Sequence, residues 1–289
     1  MRGRSDPAHR RFLIDPMEKT VLMCPPTFFD VREVKNPHMR LPIDHTLAEH
    51  QWQNLRDALE KSGVKVETIV PVPELEDMVF AANQVFAGDS DKIGKFIVPS
   101  EMRYLSRQKE VPYYVEWFRE RGYKIIALPL EGEHLEGHGD LIWHPDHTRV
   151  WAGYGFRSTR GGVAIFANAM HELGIPVTPL QLSDEHFYHL DTCFAPLNVD
   201  AVLIFPGAFS DEAMEILRSE WKRIHPISRE EAMQFIANGI VANGSFITPR
   251  VTPNLARILE AEHLTPVVVS TSEFEKSGGS AFCMKAFLP

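Results

Sequence analysis

A cysteine stands just past a double glycine near the C-terminus, in Gly278-Gly279-Ser280-Ala281-Phe282-Cys283. A lone free cysteine is ordinarily a small buried hydrophobe, so this thiol takes its meaning from its company. Upstream lie an acidic, glycine-laced segment, Glu136-Gly137-His138-Gly139-Asp140, and a histidine segment, His189-Leu190-Asp191-Thr192-Cys193. A thiol, an imidazole and carboxylates far apart in sequence are the components of a cysteine-nucleophile enzyme, provided a fold gathers them.

The elements that would gather them form a loose internal repeat of amphipathic helix, glycine stop, strand, short capped segment and polar segment. In the first copy Ala48, Trp52, Leu55 and Leu59 share one helical face, Gly63 ends the helix, and Val64–Val70 alternates as a strand before Asp77–Asn83. The second has a helix over Tyr113–Arg121, a stop at Gly122 and a strand over 123–128, leading to Glu136–Asp140. The third has a helix over Val163–Leu173, a stop at Gly174, a strand over 175–180 and a capped turn from Ser183, leading to a strand that carries His189 and Asp191. The fourth has a helix over 212–223 and a capping box at Ser228 and Glu231, leading to Asn243-Gly244-Ser245. The fifth has a helix over 254–261, a strand over 266–270 and a capped turn from Ser272, leading to Cys283. The period of roughly 40–57 residues lies in the range of repeat architectures. About five α/β copies, each with polar residues late in the unit, predict a ring that collects those residues at its centre, over a generic α/β sandwich.

Bulk properties restrict the partners. A net charge of -9 over 289 residues argues against nucleic acid or an anionic membrane surface, and no apolar run reaches transmembrane length. The three cysteines, Cys24, Cys193 and Cys283, form no C-x-x-C pair, which fits a reduced, cytoplasmic setting rather than a disulfide or zinc scaffold. Residues 1–18, basic at the start, read as a disordered tail, and 19–289 as one catalytic domain. His134 and His138 have the i, i+4 spacing of a metal pair, but Gly137 and Gly139 oppose a helix there and no third ligand is evident, so no metal is expected. His144-Pro145-Asp146-His147 reads as a hairpin turn.

The motifs Asp77-Met78-Val79-Phe80-Ala81-Ala82-Asn83, Glu136-Gly137-His138-Gly139-Asp140, Gly153-Tyr154-Gly155-Phe156-Arg157, His189-Leu190-Asp191-Thr192 and Gly278-Gly279…Cys283, taken in this order, resemble the guanidino-group-modifying superfamily. That superfamily holds arginine deiminase, dimethylarginine dimethylaminohydrolase, arginine:glycine amidinotransferase and the cyanobacterial-type arginine dihydrolase. The resemblance spans nearly the whole chain after about residue 20 and implies the pentein α/β-propeller of ββαβ-type modules. It also implies that Cys283 is the nucleophile and His189 the acid/base. Glu136 would orient and charge the imidazole or grip the guanidinium. Asn83, Asp191 and Asp140 would bind guanidino nitrogens, although the extra residue in Glu-Gly-His-Gly-Asp leaves the role of Asp140 open. Arg157 would pair with the substrate α-carboxylate, with Arg103 as second candidate and Arg107 as its rival. Asp77 would meet the α-amino group and Phe80 the aliphatic stem. Asn36 and Asn243 are turn formers first and ligands second.

A guanidinium carbon is a poor electrophile, so carboxylates must fix its plane while a thiolate attacks. One histidine can then serve both proton transfers. The expected partner is a small guanidino compound; no cofactor is expected, and an oligomer is left open. Asparagine at position 83, where deiminases and dimethylarginine hydrolases carry aspartate, resembles the arginine dihydrolases. An amide can donate to the oxygen of citrulline and hold it for a second attack. Arginine dihydrolase is therefore the first reading, a single-product hydrolase giving citrulline the second, and an amidinotransferase the third. A ribosome-binding factor of the same fold is the non-enzyme alternative.

Overall fold

The computed structural model describes residues 19–289; the expected N-terminal tail lies outside the described residues. Among these, fifteen short strands pair into five three-stranded sheets. In one, Val85–Gly88 and Phe96–Pro99 run antiparallel, the chain crosses through helix Val111–Glu120, and Lys124–Ile125 returns parallel to Phe96–Pro99. The same plan places Leu141–Trp143, Val150–Tyr154 and Val177–Gln181 around helix Arg160–Leu173. It recurs with Phe194–Asn198, Ala201–Ile204 and Arg223–Pro226 around Asp211–Glu220, and with Ile240–Ala242, Ser245–Thr248 and Thr265–Val268 around Pro253–Ala261.

The fifth sheet joins the two ends of the described chain. Lys285–Leu288 pairs antiparallel with Thr20–Met23, which runs parallel to Lys65–Thr68 after helix His45–Lys61. First strands of neighbouring sheets touch where Lys285–Leu288 meets Val85–Gly88 and where Ile240–Ala242 meets Phe194–Asn198. The result is the five-module α/β-propeller that the repeat predicted.

Local chemistry explains the modules. Ala48, Trp52, Leu55 and Leu59 are all buried on one stripe of helix His45–Lys61, and Asp44 caps its start by accepting from the Leu47 N–H. Gly63 turns the chain at φ 75°, where a side chain would be strained. Ser228 and Glu231 exchange both bonds of a capping box. No helix among the described residues is long and apolar enough to cross a membrane.

Four local expectations need correction. The turn expected to be capped from Ser272 starts after Thr271, whose side chain makes no capping bond. The His189–Asp191 segment is not a strand; His189 precedes a short 3₁₀ turn, Leu190–Thr192, which is pinned by Asp140 through the Leu190 N–H at 3.1 Å. The capped turn of that module starts at Asp184, whose carboxylate accepts from the His186 N–H, rather than at Ser183. Gly137–Asp140 does form one helical turn, because a glycine at position 137 can enter it at φ 50° beneath the carbonyls of Ala82, Asn83 and Val85.

Candidate active site

Each module delivers its polar residues just before its first strand. Asn83 lies two residues ahead of Val85–Gly88, Glu136–Asp140 runs directly into Leu141–Trp143, His189–Asp191 precedes Phe194–Asn198, and Cys283 lies two residues ahead of Lys285–Leu288. Since the first strands surround the axis, these turns converge. Asn83, His189 and Cys283 line one small cavity, together with Asp77, Phe80 and Asn36.

The fourth module contributes Asn238, two residues ahead of Ile240–Ala242, and not Asn243. The chain has two Asn-Gly pairs five residues apart. Asn243-Gly244 is the turn of the hairpin between Ile240–Ala242 and Ser245–Thr248, with both residues at positive φ, 44° and 79°. Asn243 is exposed, and its amide bonds the carbonyls of Ser62 and Gly63 far from the cavity. Asn238 is fully buried, and its Nδ2 lies 3.2 Å from Cys283 Sγ. The module count, rather than turn chemistry, is the signal that would have found it.

Around the thiol, Cys283 Sγ donates to Asp191 Oδ2 at 3.0 Å. Burial pushes the Cys283 thiol well up, and the Asp191 charge adds to this. Burial likewise raises the Asp191 carboxyl to about 7, and its Oδ1 has no protein partner. His189, at the cavity wall, has its Nε2 2.8 Å from Oε2 of Glu136, which is fully buried behind the lining. Burial would raise the Glu136 carboxyl, but Arg157 and His189 outweigh it and hold the group well below the usual range. An ionised Glu136 can only accept, so Nε2 carries the hydrogen.

Arg157 reaches that same Glu136 oxygen with Nη1 at 2.8 Å, and its guanidinium lies 4.8 Å from the ring centres of both Tyr104 and Tyr188. It lines the cavity, already paired by a carboxylate. Of the two other arginines, Arg103 is exposed and donates to the Phe156 carbonyl, outside the cavity. The rival Arg107 is the buried one; it pairs with Glu110 at 3.1 Å and donates to Asn83 Oδ1 at 3.1 Å. The spacing of four puts 103 in the loop and 107 inside the short helix Leu105–Gln108 that follows.

Asp140 is buried but stays out of the cavity lining: Oδ2 accepts from Ser158 Oγ at 2.6 Å and Oδ1 holds the Leu190 N–H. It anchors the histidine turn, and burial raises its carboxyl to about 6. Asp77 lines the cavity with Oδ2 taken by Lys35 Nζ at 2.7 Å, while the same ammonium reaches Glu76 at 3.0 Å. Lys35 carried no signal in the sequence, because its buried carboxylate partners Glu76 and Asp77 are more than 40 positions away. Asn36 bonds the Ser277 carbonyl at 2.9 Å, and Phe80 packs edge-on against Phe29.

Asn83 Nδ2 is buried with no partner. A Cβ at position 139 would lie 2.3 Å from it, so any other residue there would push the Asn83 amide aside. His138 is a satisfied core group, its Nε2 accepting from the Ala87 N–H at 3.0 Å; burial lowers its pKa to about 3 and keeps the ring neutral. Among the described residues no cluster of three histidine, cysteine or carboxylate groups is arranged to hold a metal. Cys24 and Cys193 are buried and unpaired, in keeping with packing roles.

The sequence model of the family described as N,N dimethylarginine dimethylhydrolase, eukaryotic, matches residues 36–288. The chain is 35% identical over 269 residues to the bifunctional arginine dihydrolase/ornithine cyclodeaminase AgrE of Nostoc sp., covering 91% of this chain and 37% of that relative. It is 34% identical over 272 residues to the N(G),N(G)-dimethylarginine dimethylaminohydrolase of Mycobacterium tuberculosis, covering 93% and 85%. The substrate-bound N-terminal domain of ArgZ, a cyanobacterial arginine dihydrolase, superposes with a TM-score of 0.87 at 31% identity, covering 93% of this chain and 98% of that domain.

Proposed function

The chain belongs to the dimethylarginine dimethylaminohydrolase family of guanidino-modifying pentein enzymes, and from that premise we propose that it is a cysteine-dependent arginine dihydrolase. The observation that carries the choice within the family is the Asn83 amide, whose Nδ2 is buried, unpartnered and at the cavity wall. The chain spans 37% of AgrE, so only the guanidino half of that enzyme's chemistry bears on the reading.

Cys283 as thiolate attacks the guanidino carbon of arginine, forming a C–S bond, while Asp191 holds the cation. The tetrahedral adduct collapses by breaking a C–N bond, and His189 protonates the departing ammonia. His189 then takes a proton from water, which adds to the thiouronium carbon. The C–S bond breaks to regenerate the thiolate and leave citrulline. Glu136, kept ionised by Arg157, stabilises the imidazolium in between. With Nε2 committed to Glu136, Nδ1 is the atom that exchanges protons with the reactants.

In the second round, the Asn83 amide donates to the ureido oxygen of citrulline, and the thiolate attacks again. A second ammonia leaves; hydrolysis gives a carbamate, which loses carbon dioxide to yield ornithine. An aspartate at position 83 would face that oxygen with two acceptors and release citrulline. Three unpaired cysteines suit a reduced, cytoplasmic setting.

The test is product analysis on arginine, dimethylarginines, citrulline and agmatine. Ornithine with two equivalents of ammonia per arginine is expected. Stoichiometric citrulline without ornithine sinks the dihydrolase reading and leaves the single-product hydrolase. Full turnover by Cys283→Ser sinks the nucleophile assignment.

A further inference from the structure

We propose that Asn238 is a further catalytic residue: its side-chain amide fixes the sulfur of Cys283 and, as a hydrogen-bond donor, favours the thiolate over the thiol. The inference rests on Cys283 being the nucleophile. Asn238 Nδ2 donates to Cys283 Sγ at 3.2 Å and to the Asp191 carbonyl at 2.9 Å. Its Oδ1 accepts the N–H groups of Ser280 at 3.1 Å and Cys283 at 3.3 Å. Its backbone carbonyl accepts from the Phe282 N–H at 2.9 Å. Two backbone donors on one side settle which end of the amide is oxygen, so a nitrogen faces the sulfur.

One buried side chain therefore ties together the turn that presents the thiol, the thiol itself and the backbone of Asp191. The two side chains bonded to the sulfur act in opposite directions, and the other titratable groups that feel its charge are the buried Lys285 ammonium and the Tyr188 hydroxyl. Asp191 accepts from the S–H and, as an anion, disfavours a negative sulfur; Asn238 donates to it. A guanidinium arriving at Asp191 gives that carboxylate a better partner, and the Asn238 donor remains in place for the thiolate. A neutral amide suits this position.

The test reads the sulfur directly. Alkylation of Cys283 by iodoacetamide is followed against pH in the full chain, with the Cys283 peptide quantified by mass so that Cys24 and Cys193 do not contribute. Asn238→Ala removes the donor, and Asn238→Asp replaces it with an acceptor. Both are expected to move the inflection to higher pH, Asn238→Ala by about one unit, so that alkylation below the inflection slows about tenfold. Asn238→Asp moves it further. A folded variant whose inflection matches the wild type overturns the proposal whatever its turnover, because a purely structural asparagine would alter rate and stability without moving it. Where these variants fail to fold, Asn238→Ser takes their place; its hydroxyl is too short to reach the sulfur, and an unmoved inflection is again decisive. Loss of fold in all three overturns the proposal too, since Asn238 would then be a folding residue. Full turnover by Cys283→Ser defeats the nucleophile assignment and leaves the alkylation comparison intact.

Discussion

Asp191 Oδ2 accepts the thiol of Cys283 at 3.0 Å across 92 positions of chain. On the proposed mechanism, the pair is the nucleophile at rest. Burial and the neighbouring carboxylate keep the proton on sulfur, while burial holds the carboxylate itself near the edge of ionisation at about 7. A guanidinium cation answers both, since it favours an ionised Asp191 and a negative sulfur together.

Asp191→Asn is expected to stabilise the protein above pH 7 and to change little near pH 4. The folded carboxyl titrates at about 7 against an ordinary value of 3.8. Between those values the unfolded chain has lost the proton and the folded one keeps it, so wild-type stability falls as pH rises through that window. The Tm gain of Asp191→Asn is expected on the order of 5 °C at pH 8. Equal gains at pH 4 and pH 8 would refute the account.

Glu136→Gln removes the charge that faces both His189 and Arg157 at 2.8 Å. A drop of about 100-fold in kcat is expected, within the range for loss of a general acid–base partner. A cost of about 3 kcal/mol to stability accompanies it, because Arg157 is left buried without its anion. Steady-state kinetics and denaturant unfolding on the same preparation check both.

Asn83→Asp is expected to leave citrulline as the main product from arginine, read by separating citrulline from ornithine in single-turnover samples. Ornithine formed at the wild-type rate would remove Asn83 from the second round.

A methyl group at position 139 would sit 2.3 Å from Asn83 Nδ2 and 3.3 Å from the His189 ring. Gly139→Ala should therefore displace both side chains. Activity is expected to fall about tenfold or more while the fold is retained, since a misplacement of order 1 Å costs rate steeply. Wild-type kcat in Gly139→Ala would show that the neighbours can yield.

Lys35→Met leaves Asp77 and Glu76 buried without their ammonium. A loss of about 3 kcal/mol is expected, measured by chemical denaturation. Lys35→Met with Glu76→Gln should recover part of it, because one uncompensated charge is removed. Equal instability in the single and double variants would rule out the ion-pair explanation.

Much of the site was legible in the sequence because local chemistry marks it. Glycine stops, a capping box and the Glu-Gly-His-Gly-Asp and His-Leu-Asp-Thr segments are short-range signals, and the repeat put them in equivalent slots. What misled was also local. Asn243-Gly244 and Asn238-Gly239 are indistinguishable as dipeptides, and the first is the better hairpin turn, which is why it points away from the axis. Arg103 and Arg107 are interchangeable by composition, but one precedes a helix and the other lies within it, with a buried carboxylate to meet it. Lys35, Glu76 and Asp77 were unreadable as a cluster, because an ion pair across 40 positions leaves no periodicity.

The sequence by itself determined the modules, the polar slots of four of them and the kinds of group that reach the centre, since helix, turn and strand formation depend on neighbours within a few residues. Only the closed ring decided which asparagine touches the sulfur, which arginine is buried and which carboxylate orients the imidazole. Those choices depend on strand pairings such as Thr20 with Leu288, where residues at the two ends of the described chain fix the geometry of groups between them.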